Sequence, residues 1–189
     1  MAGFRAAGEG ATARFAAGQA GIIRNLVSQV ADLIGDGTPG AAEPAGQHAE
    51  PGSAAALAAE LQLSDADAPP ADPALARLLP DAYRDDPEAA AEFRRYTEQG
   101  LRTAKLEAAR RVLDTLPARG GRVRLSADDS QAWLRALNDV RLALSVRLGV
   151  TEDFDSDVAG MDRGDPKFAY VWVYQWLAYL QETLVEALS

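Results

Sequence analysis

Apolar residues recur at helical spacing in four separated stretches of this chain, so its core has to be built by helices burying those faces together. In "GIIRNLVSQVADLIG", Ile22, Ile23, Leu26, Val27, Val30, Leu33 and Ile34 define one face that ends at Gly35, which predicts a core helix over 18–35. The longest helix is expected from Pro87, a residue suited to a first turn, to Leu116, where Pro117 and the glycines 120 and 121 close it. A third stretch carries Trp133, Leu137, Val140, Leu144 and Leu148 as one stripe, with Ser126 as its N-cap and Asp128 and Asp129 beside the positive helix end. The fourth opens on Phe168, Tyr170, Trp172, Tyr174 and Trp176, an alternation that a strand would also accept. Val173, Trp176, Leu177, Leu180, Leu184 and Leu188 then continue at helical spacing for longer than a strand sustains. Its aromatic half is apolar on most sides, which suits either a central position or contact with a second copy.

Two short segments flank Gly8-Glu9-Gly10 in "FRAAGEGATARF", the pattern of a small hairpin, and "GRVRLS" alternates Val123 and Leu125 with arginines as a strand able to pair with it. The expected fold is mainly α: a compact bundle of about four to five helices in a single domain over 1–189. Its small β element is the N-terminal hairpin plus a strand near 121–126. Residues 36–56, rich in Gly, Pro, Ala and Glu, have almost nothing to bury and are expected to form a mobile loop. "ALAAELQL" suits a short helix, Leu75, Leu78, Leu79 and Tyr83 suit anchors onto the body, and Gly100, Ala104 and Ala108 thin one side of the long helix for a close neighbour.

Composition removes several kinds of chemistry. No cysteine is present, so disulfides, thiolate catalysis and thiol redox sensing have no residue to run on, and only Met1 and Met161 can be oxidised. The one histidine, His48, can form neither a His pair for zinc nor a Ser/His/Asp set. No signal-like start and no long apolar run is evident, so a cytoplasmic protein with no membrane partner and no cofactor is expected. Asp153, Asp155 and Asp157 match the first ligands of a calcium loop. Val158 stands where the loop needs glycine and Gly164 where it needs its closing glutamate, so no metal ligands are assigned.

Charge is the clearest asymmetry. Against a net charge of −9, residues 94–124 hold nine basic residues and three acidic ones. Arg94, Arg95, Arg102 and Lys105 share one arc of the long helix, interrupted by Glu98, and are the candidate contacts for an anionic partner, protein or nucleic acid, on a face expected to be wet. The third helix presents a second polar set: Asp139 is expected to pair with Arg135 four residues earlier, and Asn138 with Arg141 to form a structural polar network. No catalytic residues are assigned.

The ordered stretches "DPALARLLPDAY", "EFRRYTEQGLR", "WLRALNDVRLALSVRLGVTED" and "YVWVYQWLAYLQETLVEAL" resemble an actinobacterial family first catalogued as a domain of unknown function and later named AosR, for oxidative-stress regulator. The resemblance covers nearly the whole chain except 36–56. It implies a cytosolic transcriptional regulator that works with an alternative sigma factor at a cysteine-biosynthesis promoter. The redox response it implies runs through an intramolecular disulfide, for which this sequence has no cysteine, and no helix-turn-helix is evident. A non-enzymatic regulator acting through protein contacts is the expected function, with DNA contact and self-association through the aromatic C-terminal helix left open. The alternatives are a protein-binding adaptor with no promoter role, or a metal-dependent enzyme using the carboxylates of 152–165.

Overall fold

The computed structural model describes residues 3–35, 70–83, 85–151, 154, 158, 161 and 166–189. The expected loop at 36–56, the short helix in "ALAAELQL" and the carboxylates of 152–165 lie outside the described residues. Strand β1 (Arg5–Ala7) turns into β2 (Gly10–Phe15), which leads to helix α1 (Ala17–Gly35). Helices α2 (Pro73–Leu78) and α3 (Pro87–Thr115) follow, then β3 (Gly121–Leu125), α4 (Ala127–Leu148) and α5 (Pro166–Ala187). This is the mainly helical bundle with a small sheet that the periodicities predict.

The sheet is antiparallel in the order β1-β2-β3, with Thr12 opposite both Arg5 and Arg124 and Arg14 opposite Arg122. Because side chains alternate along a strand, Ala11, Ala13, Phe15, Val123 and Leu125 go inward while Thr12 and the arginines stay outside. Two glycines let the sheet close. A Cβ on Gly10 would lie 2.0 Å from the Leu125 carbonyl oxygen, and one on Gly120, at φ +73, would lie 2.7 Å from the Ala16–Ala17 backbone.

Phe4, Phe15 and Trp133 join the sheet to α4. Phe15 stacks on the indole at 6.0 Å between ring centres, and Phe4 meets it edge-on at 5.5 Å. Trp133 Nε1 donates to Thr115 Oγ1 at 2.8 Å, so the buried indole N–H is satisfied by the end of α3. Helix α4 starts in a capping box. The Asp129 amide donates to Ser126 Oγ, and the Asp129 carboxylate accepts from the Ser126 amide and hydroxyl. Helix α5 buries Val171, Trp176, Leu177, Leu180 and Leu184, and its Thr183 Oγ1 accepts from the Phe4 amide at 3.1 Å, fixing the N-terminal strand.

Helices α1 and α3 run past each other in opposite directions and satisfy each other's C-termini. Arg24 of α1 donates to the carbonyl oxygens of Leu113 and Leu116, the latter at 2.6 Å, while Arg102 of α3 donates to that of Ile34. Leu75, Leu78 and Leu79 are buried as anchors of the α2 segment, but Tyr83 stays exposed against Phe93. The small-residue stripe meets a neighbour only at its end: Ala108 is buried, while Gly100 and Ala104 are exposed.

Candidate partner-binding surfaces

The basic arc is not a wet face. Arg94, Glu98 and Arg102 are only 6%, 5% and 4% exposed, and they form a ladder one helical turn apart on the inner side of α3. Arg94 donates to Glu98 Oε2 at 2.8 Å and pairs with Asp81 in the segment after α2. Arg102 Nε donates to Glu98 Oε1 at 2.9 Å, and its other end reaches Ile34. Lys105 Nζ, next along the same side, donates to Asp139 Oδ1 of α4 at 2.6 Å. Of the four expected contacts, only Arg95 is exposed. The physical reason is satisfiability: alternating + − + charges one turn apart can enter the interior because each finds its counter-charge there.

Burial acts to lower the Arg94 pKa, but the hydrogen bonds from Glu98 and Asp81 outweigh it and hold the group above its ordinary value. Burial raises the Asp139 carboxyl, and the Lys105 ammonium offsets that only in part.

The polar set of α4 divides differently from the expectation. Asp139 turns inward to Lys105 rather than along its own helix to Arg135, and Asn138, one position earlier, is exposed. A position step rotates a helical side chain by about 100°, which separates the two. Arg141 has a structural partner: it donates to Gln181 Oε1 of α5 at 2.7 Å, with its guanidinium 5.4 Å from the Tyr174 ring centre.

With charge on its inner side, the first half of α3 carries its large apolar groups outward. Phe93 is 45% and Tyr96 66% exposed, with Leu101 further along and Tyr83 packed edge-on against Phe93 at 5.9 Å. Beside this ridge the Arg94–Glu98 pair surfaces in a crevice of about 20 Å³, far smaller than a small-molecule site. Tyr170, Trp172, Tyr179 and Val185 are also exposed, at different points around α5. Among the described residues no group of three His, Cys, Asp or Glu could hold a metal ion, and no helix is long and apolar enough to cross a membrane.

Residues 1–188 match the sequence profile of the family described as "Domain of unknown function (DUF2017)". The chain belongs to that family. It is 43% identical over 129 residues to the oxidative stress regulator AosR of Mycobacterium tuberculosis and to that of Mycobacterium bovis, an alignment covering 61% of this chain and 58% of each relative. It is 41% identical over 132 residues to the putative oxidative stress regulator AosR of Mycobacterium leprae, covering 63% of this chain and 59% of that one. The chain thus spans under two thirds of the length of these relatives. No solved structure matches it.

Proposed function

We propose that this protein is a non-enzymatic transcriptional regulator in oxidative-stress defence that acts from the cytoplasm through protein contacts, with the 189 residues folding as one domain. The observation that carries the reading is the reversed amphipathicity of α3. Phe93, Tyr96 and Leu101 face solvent beside Tyr83 while Arg94, Glu98 and Arg102 face the interior, an exposed aromatic ridge of the kind protein partners cover. The similarity to relatives named oxidative stress regulators supports the setting. The resemblance supplies the partner class, an alternative sigma factor, and the target class, a cysteine-biosynthesis promoter.

Within these residues no disulfide can form, so redox information enters through the partner and not through a thiol of this chain. Helix α5, on which Tyr170 and Trp172 are exposed, offers a separate contact for self-association. A strain lacking the gene, carrying a cysteine-biosynthesis promoter reporter and exposed to peroxide, tests the regulatory reading. Wild type restores the induced signal and the Phe93→Ala/Tyr96→Ala variant does not. Full restoration by the variant, or a reporter indifferent to the gene, overturns it.

A further inference from the structure

The outer face of the small sheet gathers positive charge from three strands. Arg5 of β1 and Arg124 of β3 flank Thr12 in one cross-strand row, and Arg14 of β2 stands directly opposite Arg122 of β3 in the next. All four arginines are exposed, and among the described residues none of their side chains has an ion-pair or hydrogen-bond partner. Arg5, Arg14 and Arg122 line an open cleft of about 500 Å³, rimmed by Tyr179 from α5. Like charges directly opposite on neighbouring strands destabilise a sheet, so the fold carries a local repulsion that a bound polyanion would relieve.

We propose that this face seats a nucleic-acid backbone, with Arg5, Arg14, Arg122 and Arg124 contacting phosphates. Two features favour nucleic acid over an acidic protein. Protein interfaces are depleted of charge at their centres and built on buried apolar anchors, whereas the middle of this face is arginine, and the inward side of the sheet takes the apolar residues. Nucleic-acid interfaces are far more positive, the guanidinium fork matches phosphate, and an exposed aromatic at the margin such as Tyr179 suits stacking on a base. The acidic remainder of the chain does not cancel this, because charges beyond about 8 Å are largely screened at physiological salt. The surface deepens the regulator reading and rests on it for its genomic setting. Binding of naked DNA tests the surface alone, whereas the promoter reporter tests the reading.

The experiment measures anisotropy of a labelled mixed-sequence duplex of about 20 base pairs, at about 50 and about 200 mM salt, with poly-glutamate as a competing probe. Wild type and an Arg77→Gln control, changed at an exposed site on α2, should bind with the same salt slope. Arg14→Gln/Arg122→Gln and Arg5→Gln/Arg124→Gln should each weaken binding about tenfold or more at low salt and reduce the slope by about one per lost phosphate contact. Arg14→Lys/Arg122→Lys, which keeps the charge, should retain most of the slope and so separates lost contact from lost folding. Absent binding by wild type, unchanged binding by both glutamine pairs, or poly-glutamate bound more tightly than the duplex overturns the proposal, the last in favour of an acidic protein.

Discussion

Arg24 and Arg102 cap each other's helices: each guanidinium, rooted in one of the antiparallel pair α1 and α3, donates to carbonyl oxygens at the C-terminal end of the other. Arg102 is in addition held by Glu98, so one side chain joins the helix end to the buried ladder. Arg102→Ala should therefore destabilise by about 3 to 5 kcal/mol, because it leaves Glu98 as a buried, half-compensated charge. Replacing the ladder with apolar side chains, Arg94→Met/Glu98→Leu/Arg102→Met, should recover most of that loss. Urea unfolding decides between this and a solvated arc, for which Arg102→Ala would cost under about 0.5 kcal/mol.

The capping box of α4 has a pH signature. Hydrogen bonds from Ser126 and the Arg111 guanidinium hold Asp129 below its ordinary value against a smaller opposing effect of burial. A depressed carboxyl gives stability that is present above the ordinary carboxylate pKa and lost as pH falls through the folded value. Ser126→Ala should cost about 1 kcal/mol near neutral pH and less in acid. A cost that grows as pH falls would contradict this assignment.

Asp139 should behave in the opposite sense. Its raised carboxyl contributes stability that is fully present below the unfolded pKa and is lost as pH rises through the folded one. Relative to wild type, Asp139→Asn should therefore gain stability as pH is raised through the carboxylate range. Paired unfolding curves from acid to neutral check the sign, and a relative loss over that window contradicts it.

Asn138 and its near neighbour Arg141 should separate on mutation. Asn138→Ala, at an exposed site, should change stability by less than about 0.5 kcal/mol. Arg141→Ala, which removes the bond to Gln181 and the stacking over Tyr174, should cost about 1 to 3 kcal/mol. Equal effects in thermal unfolding would show that α4 is turned differently.

The four long helices, the Ser126 cap and the hairpin with its third strand were legible because each rests on local chemistry: apolar period, a capping side chain, strand alternation. The six-residue α2, too short to show a period, was not. The direction of the α3 charges was not. Arginine is read as wet by default, and what turns Arg94 and Arg102 inward is long-range: Asp81 and the end of α1, brought in only by the tertiary fold. A signal was nevertheless present, in Glu98 spaced four residues from each arginine while Phe93 and Tyr96 occupied the other side. In α4, a spacing compatible with an Arg135–Asp139 pair said nothing of Lys105, which lies 34 residues earlier in sequence and takes the carboxylate. The arginine face of the sheet was hidden for a similar reason, since Arg5 and Arg14 join Arg122 and Arg124 only through strand pairing.

The central claim is that the outward ridge of α3 contacts a protein. Calorimetric titration of the full chain with an alternative sigma factor from its own organism tests it most directly, comparing wild type with Phe93→Ala/Tyr96→Ala. Wild type should bind, and the double variant should bind at least about tenfold more weakly, a loss of about 1.4 kcal/mol, with its melting temperature essentially unchanged because both side chains are exposed. Equal affinity for the two proteins, or no binding by wild type, would contradict the account.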